Sequence, residues 1–526
     1  MSPAANIGVN APPGPAPATD SIRLKRWQTV LLILGTVVYL AVAAAVARSR
    51  APFIDEAWYS MPAWNLAFNG SMGTPVIEPS ASPMPGMNVS LTGIRQHTYW
   101  LMPLPIVLEA AWFRAAGFSI VTMRQFSTLW AVLVLGAWYF LLRRLSGSAG
   151  IALAGILLIA FDETFLLRAA FGRMEMMSAA LGFWGIEIYL RQREASLSRA
   201  LFFGNLLVAA AGLSHPNGGL LALPALMFLV IRLDRRRLRF SSLLPVALAY
   251  ALCAGGMAVY ILQDPSAFRA QFFGNSGGRL SALTHPLTIL PREMMRYLNI
   301  YGLGANTSGI SRIKGVVLAV YAVSLLFIFL RPALRRRYAT FGVLALIYIA
   351  GLAVIENYKV EWYVVYTIPF LAASAALVAG SVTSRAGRVT TVMLLSGMIV
   401  LQAGGVYRVI RRNTYGTSYV PAIQTLKTLS SKNTIVAGGS ELGFGYGFND
   451  HLDDDLRLGL NSGKRPDLVV MDERYKTALL AFRKTEPATA AYIDGYLKSS
   501  CTPGQTSLDY TIYVCRPAAS APLISR

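Results

Sequence analysis

The chain has 526 residues, 54% of them hydrophobic and only 14% charged. Soluble domains carry roughly 25% charged residues, so the composition excludes an ordinary soluble globule and points to a polytopic membrane protein. The formal net charge of +22 does not argue for nucleic acid, because no basic stretch is interleaved with aromatics.

Residues 1–22 are rich in Pro and Ala and are predicted to be a disordered cytoplasmic tail. Arg23, Lys25 and Arg26 then precede an apolar run that is longer than a signal-peptide core of roughly 7–15 residues. It reads as an uncleaved first transmembrane helix. A helix needs about 20 apolar residues to cross the hydrocarbon, and on that rule about eleven spans appear. They are 28–47, 125–142, 149–166, 176–190, 200–214, 218–232, 241–262, 313–330, 338–356, 361–380 and 389–407. With the N-terminus inside, Arg143-Arg144, Arg191/Arg193, Arg232 with Arg235-Arg236-Arg237, Arg331 with Arg335-Arg336-Arg337, and Arg385/Arg388 all fall on the cytoplasmic side.

The segment 99–117 is apolar but holds Pro103, Pro105, Glu109 and Arg114. A span there would invert the charge pattern downstream, so it reads as amphipathic helix along the outer face. Residues 48–124 thus form a large first external loop of a transmembrane region 23–407. Residues 408–526 lose the membrane character. Strand patterns at 434–440, 467–473 and 510–515, with a helix at 474–484, predict a small extracytoplasmic α/β domain. Cys501 and Cys515 flank a short segment there and can pair if the region is exported; the spacing alone does not decide. The glycines of 438–447 do not have dinucleotide-binding spacing, and no soluble-enzyme motif is present.

The chemistry-bearing residues gather at the outer face. Asp55-Glu56 follow the first span, Asp162-Glu163 follow the third, and Arg173-Met174-Glu175 precede the fourth. Ionisable residues at a bilayer boundary are costly and often functional. Asp55 reads either as a helix N-cap or as a general base. Glu175 reads as a second carboxylate or as a complement to its helix dipole. Arg168, Arg173 and Lys359 supply cations for an anionic leaving group, with Glu56, His97, His215 and Tyr363 as further substrate-binding candidates. A divalent metal is a possible cofactor, with Glu175 its candidate ligand.

These elements, in this order, resemble bacterial GT-C superfamily glycosyltransferases of the protein O-mannosyltransferase and lipid A aminoarabinose transferase type. The resemblance rests on Asp55-Glu56 in DEAWY, the aromatic-proline segment HTYWLMPLP, Arg173-Met174-Glu175, Tyr363 through Pro369, and the tail DDDLRLGLNSGKRPDLVVMDERY. It implies a GT-C-like fold in the bacterial inner membrane and a hexosyl- or pentosyltransferase using a polyprenyl-phosphate sugar. The acceptor is a lipid, glycan or protein. Asp55 would be the base or would orient the acceptor, and Glu175 would stand near the acceptor or metal. The family's Lys-Pro-Pro element is missing, with Gln96-His97-Thr98 in that neighbourhood, which leaves the phosphate contact and metal dependence open. The rival reading is a lipid or glycan flippase. Transporters tend to place ionisable residues near mid-membrane within repeated halves, whereas these acids cluster at one face.

Overall fold

The computed structural model of the chain describes residues 26–515, apart from 82, 86–88, 277–285 and 305–308. The predicted tail, residues 1–22, lies outside the described residues. The helical part begins with α1 (Arg26–Ser49), α2 (Ile54–Asn69), α3 (Pro103–Ala116), α4 (Ile120–Ser146), α5 (Ala149–Ala160), α6 (Glu163–Ala169) and α7 (Glu175–Gln192). It continues with α8 (Leu197–Ser214), α9 (Pro216–Asp234), α10 (Leu243–Ile261), the short turns α11 (Pro265–Phe268) and α12 (Gly274–Ser276), and α13 (Pro286–Ile300). It ends with α14 (Gly315–Leu330), α15 (Pro332–Ile355), α16 (Ile368–Ala379) and α17 (Arg385–Arg412).

Among the described residues nine helices are long and apolar enough to cross a membrane, or ten if the bent pair α5–α6 counts as one span. The predicted span 149–166 is that pair, bent by 69°. The bend falls where Asp162 Oδ1 caps α6 by accepting from the Thr164 and Phe165 amides, at 3.0 and 3.1 Å. The predicted span 176–190 falls on α7, which is helical throughout but carries Glu175, Glu187 and Arg191. Boundaries follow local chemistry elsewhere too. Ser119 caps α4 through the Thr122 amide at 3.0 Å, and Gly147, at φ 69°, ends that helix in the left-handed region.

Between α1 and α4 the chain does not cross. Pro103 and Pro105 open α3, and its 14 residues are too few for a span. α3 packs along α2 through Ala63, Ala67, Ile106, Ala110 and Phe113.

The C-terminal unit is α18 (Val420–Leu429), β1 (Val436–Ala437), α19 (Gly443–Tyr446), β2 (Leu452–Asp453), β3 (Leu468–Met471), α20 (Glu473–Thr485), α21 (Pro487–Ser500), β4 (Cys501–Thr506) and β5 (Thr511–Cys515). The sheet order is β2-β1-β3-β5-β4. β1 is parallel to β2 and β3; β5 is antiparallel to β3 and β4. Cys501 and Cys515 face each other across β4–β5 and form a disulfide. Ala57, Met61, Val76, Ile77, Leu91 and Ile94 share one core with Ile423, Leu426, Val436, Leu452, Leu468 and Ile512. The segment after α1 and the C-terminal unit are therefore buried together, and a parallel bridge between Ile77 and Asp454 joins them at the sheet edge.

Candidate active site

The site is built around the first turn of α2. Phe53 precedes the helix in extended conformation, and Glu56 reaches back to accept its amide at 3.0 Å. The same carboxylate is fully buried against Arg124 of α4, with Nη2 to Oε2 at 2.6 Å and Nε to Oε1 at 2.7 Å. Gly172 N donates to Glu56 Oε1 at 2.8 Å. Arg124 spends its remaining donors on the carbonyls of Ala47, Arg50 and Ala51. Glu56 was a substrate-binding candidate, but its oxygens are already satisfied inside the protein. It fastens the start of α2 to the end of α1, to α4 and to the segment before α7.

Asp55, one residue earlier, is turned the other way. Its side chain keeps 26% of its surface accessible, and Oδ2 pairs with Arg173 Nη1. Arg173 in turn donates from Nε to Glu175 Oε1 at 3.0 Å and from Nη2 to the same oxygen at 2.6 Å. The three residues form a chain of acid, guanidinium and acid. The guanidinium is sandwiched between aromatics, 4.7 Å from the Tyr59 ring and 5.1 Å from the Trp362 ring. Protein surrounds Asp55 despite its open edge. Burial pushes its carboxyl above the usual carboxylate range, Arg173 opposes that rise, and Glu175 and Glu56 add to it. Such a group can take a proton near neutral pH.

A second group flanks the first. Trp362 stacks flat on Phe171, 5.0 Å between centroids at 2°, and Phe53 packs on both rings. Arg168 lies over Trp362 at 3.9 Å and pairs with Glu361. Its Nε and Nη1 are buried without hydrogen-bond partners. Arg168, Phe171, Arg173, Glu175 and Trp362 line one small cavity.

Of the other predicted residues, His215 and Tyr363 come together, with ring centroids 5.2 Å apart. His215 caps α9 by accepting from the Asn217 amide at 3.2 Å, and its imidazole is an electrostatic neighbour of Glu175. Both are buried at the edge of the site rather than open to a ligand. Lys359 sits in a separate buried group. Its Nζ is 3.3 Å from Glu293, which also pairs with Arg296 at 3.0 Å. Arg296 reaches Glu356 at 3.1 Å. Burial lowers the Lys359 ammonium while Glu293 pulls it back. His97 stacks on Tyr99 and packs against Tyr260, and it has no contact with Asp55, Arg173 or Glu175 among the described residues. Asp162 is likewise internal: its Oδ2 accepts from Tyr301, Tyr321 and Gln402.

The sequence reading missed Tyr59, Trp362, Arg124 and Arg474. Tyr59 was findable, since it lies four residues from Asp55 on one helical face. Arg474 was not. It lies 5.3 Å over the Trp58 ring and pairs with Asp454 at 2.6 Å. Asp454 also accepts from Trp58 Nε1 at 3.2 Å. The C-terminal unit thereby grips the turn of α2 that follows Asp55.

The residues present do not fit a resident metal. Among the described residues no three His, Cys, Asp or Glu side chains converge on one point. Glu175, the candidate ligand, has Oε1 and Oε2 both within hydrogen-bond reach of Arg173. A cation there would have to compete with a guanidinium already in place.

No protein-family model matches the sequence, and no curated protein matches it. Solved structures do. ArnT from Cupriavidus metallidurans, bound to undecaprenyl phosphate, superposes with a TM-score of 0.61 over 94% of this chain and 99% of that chain, at 13% identity. Its apo form gives 0.53 over 92% and 98%, at 14% identity. The oligosaccharyltransferase AglB from Archaeoglobus fulgidus, in complex with an inhibitory peptide and a dolichol-phosphate, gives 0.52 over 95% and 75%, at 12% identity. A further AglB structure, in complex with Zn and sulfate, gives 0.53 over 88% and 71%. Across nearly its whole length the chain has the fold of ArnT, the GT-C-like architecture that its Asp-Glu pair and topology led us to expect.

Proposed function

We propose that this protein is a membrane glycosyltransferase. It takes a hexosyl or pentosyl group from a polyprenyl-phosphate carrier and moves it to a lipid, glycan or protein acceptor on the extracytoplasmic face. The observation that carries the reading is Asp55: a partly open carboxylate, held by Arg173, on a fold whose ArnT representative binds undecaprenyl phosphate. The sugar already carries its leaving group. Asp55 removes the acceptor proton as general base, and Arg173 fixes that carboxylate's position. Arg168, with two buried donors to spare, supplies the cationic contact for the departing phosphate. This would take the place of the missing Lys-Pro-Pro element. No step is routed through a metal.

The orientation belongs to the same proposal. The N-terminus is cytoplasmic and the C-terminal unit is outside, as the basic clusters argue. The Cys501–Cys515 disulfide supports an oxidising compartment for the sheet. Purified protein in proteoliposomes, given a panel of undecaprenyl-phosphate-linked hexoses and pentoses with a crude envelope acceptor fraction, should consume one donor and release undecaprenyl phosphate. Translocation of a lipid-linked sugar across the bilayer with no sugar released would instead favour a flippase.

A further inference from the structure

On the far side of Arg173 from the Trp362 cavity lies a second, narrow cleft between α3 and the start of α4. Tyr59, Phe126, Trp130, Ser127 and Arg173 line it, together with Glu109 of α3. Glu109 is only 5% exposed. Its carboxyl has no hydrogen-bond or ion-pair partner among the described residues, although each other acid at this site is satisfied by a guanidinium or an amide. Burying such a group without a partner costs roughly 1–3 kcal/mol. Nothing in the packing of α3 requires it, because the helix is held to α2 and α4 by Ile106, Ala110, Phe113, Ile120 and Met123. A protein that keeps an unpaired polar group in an apolar wall keeps it for something that enters the cleft.

We propose that this cleft receives the glycosyl ring of the lipid-linked donor and that Glu109 hydrogen-bonds a hydroxyl of that ring. The inference rests on the transferase reading and names the sugar subsite within it. Three observations converge. The walls are aromatic and apolar, suited to the C–H faces of a sugar ring, and polar reach is limited to a few groups. Tyr59 and Arg173 belong both to the cleft and to the Asp55 site, so a ring held there abuts the guanidinium that positions Asp55. Burial, reinforced by the charge of Glu56, pushes the Glu109 carboxyl well above the usual carboxylate range. It is therefore neutral at working pH, with one O–H to donate and one carbonyl to accept. A sugar hydroxyl can use both.

The test compares native protein, Glu109→Leu and Glu109→Gln. The readouts are binding of undecaprenyl phosphate, binding of the glycosylated donor that the native protein consumes, and thermal unfolding in detergent. Glu109→Leu should weaken the glycosylated lipid by about tenfold or more, as loss of a buried hydrogen bond does, and leave undecaprenyl phosphate unchanged. It should also unfold no earlier than native, since it removes an unpaired buried carboxyl. Glu109→Gln, which keeps a donor and an acceptor, should fall closer to native. Glu109→Leu that keeps full preference for the glycosylated lipid would overturn the assignment while leaving the transferase reading intact. Equal weakening for both lipids, or earlier unfolding, would make Glu109 a packing residue and also overturn it. A native protein that binds no glycosylated lipid better than undecaprenyl phosphate would remove both readings.

Discussion

Asp55 and Glu56 are adjacent in sequence, and helix geometry turns them about 100° apart. One faces a guanidinium at an open edge and the other is sealed against Arg124. The raised Asp55 carboxyl has a kinetic consequence. A base works only when ionised, so kcat/KM should fall as pH drops through a value above the ordinary carboxylate pKa of about 4. Arg173→Gln removes the charge that favours the ionised form, so the acid limb should move to still higher pH. A pH–rate profile of native and variant reads both. Glu56→Gln should act on stability instead. It leaves Arg124 buried without its counter-charge, a loss of about 3–5 kcal/mol, visible as early thermal unfolding. The local pair Arg173 and Glu175 was legible because the two lie two residues apart. The Glu56–Arg124 pair joins positions 68 apart, and no pattern in the sequence links them.

At the scale of elements, the apolar runs were readable because the bilayer imposes one length on every span. α3 was separable from them by its prolines and charges. The 69° break between α5 and α6 was not seen, because a capping Asp inside an apolar run looks like a surface acid until its partners are known. Strands β1, β3 and β5 fell within the predicted runs. The two-residue β2 and the Pro- and Gly-containing β4 carry almost no strand signal, so they were missed. The disulfide closes a loop of 14 residues over the sheet edge. Replacing both cysteines by Ser should cost the C-terminal unit about 3 kcal/mol. Limited proteolysis should then cut β4 and β5 sooner than in the native protein.

At the scale of the whole molecule, the segment after α1 and the C-terminal unit are far apart in sequence but share one core. Drawing them as separate domains was natural from composition, which shows only where membrane character ends. Their union explains why Arg474, from the far end of the chain, bears on Asp55. Its positive charge favours the ionised carboxylate, though less than that of Arg173. Arg474→Lys should therefore preserve the pH profile, while Arg474→Gln should move the acid limb upward by less than Arg173→Gln does. If Arg474→Gln changes thermal stability but leaves the profile fixed, the C-terminal unit only braces α2. Removal of everything after residue 410 would be a poorer test, since it strips half of the shared core.

The central claim is that Asp55 is the base of a glycosyl transfer. The direct measurement is the rate of donor consumption by native protein and by Asp55→Asn, in proteoliposomes, with the polyprenyl-phosphate sugar that the native protein uses. Asn matches the carboxylate in shape, so thermal unfolding should confirm a folded variant. The account predicts a loss of about 100-fold or more, the scale of general-base catalysis. A folded Asp55→Asn that consumes donor within about threefold of native, far short of that scale, would contradict it.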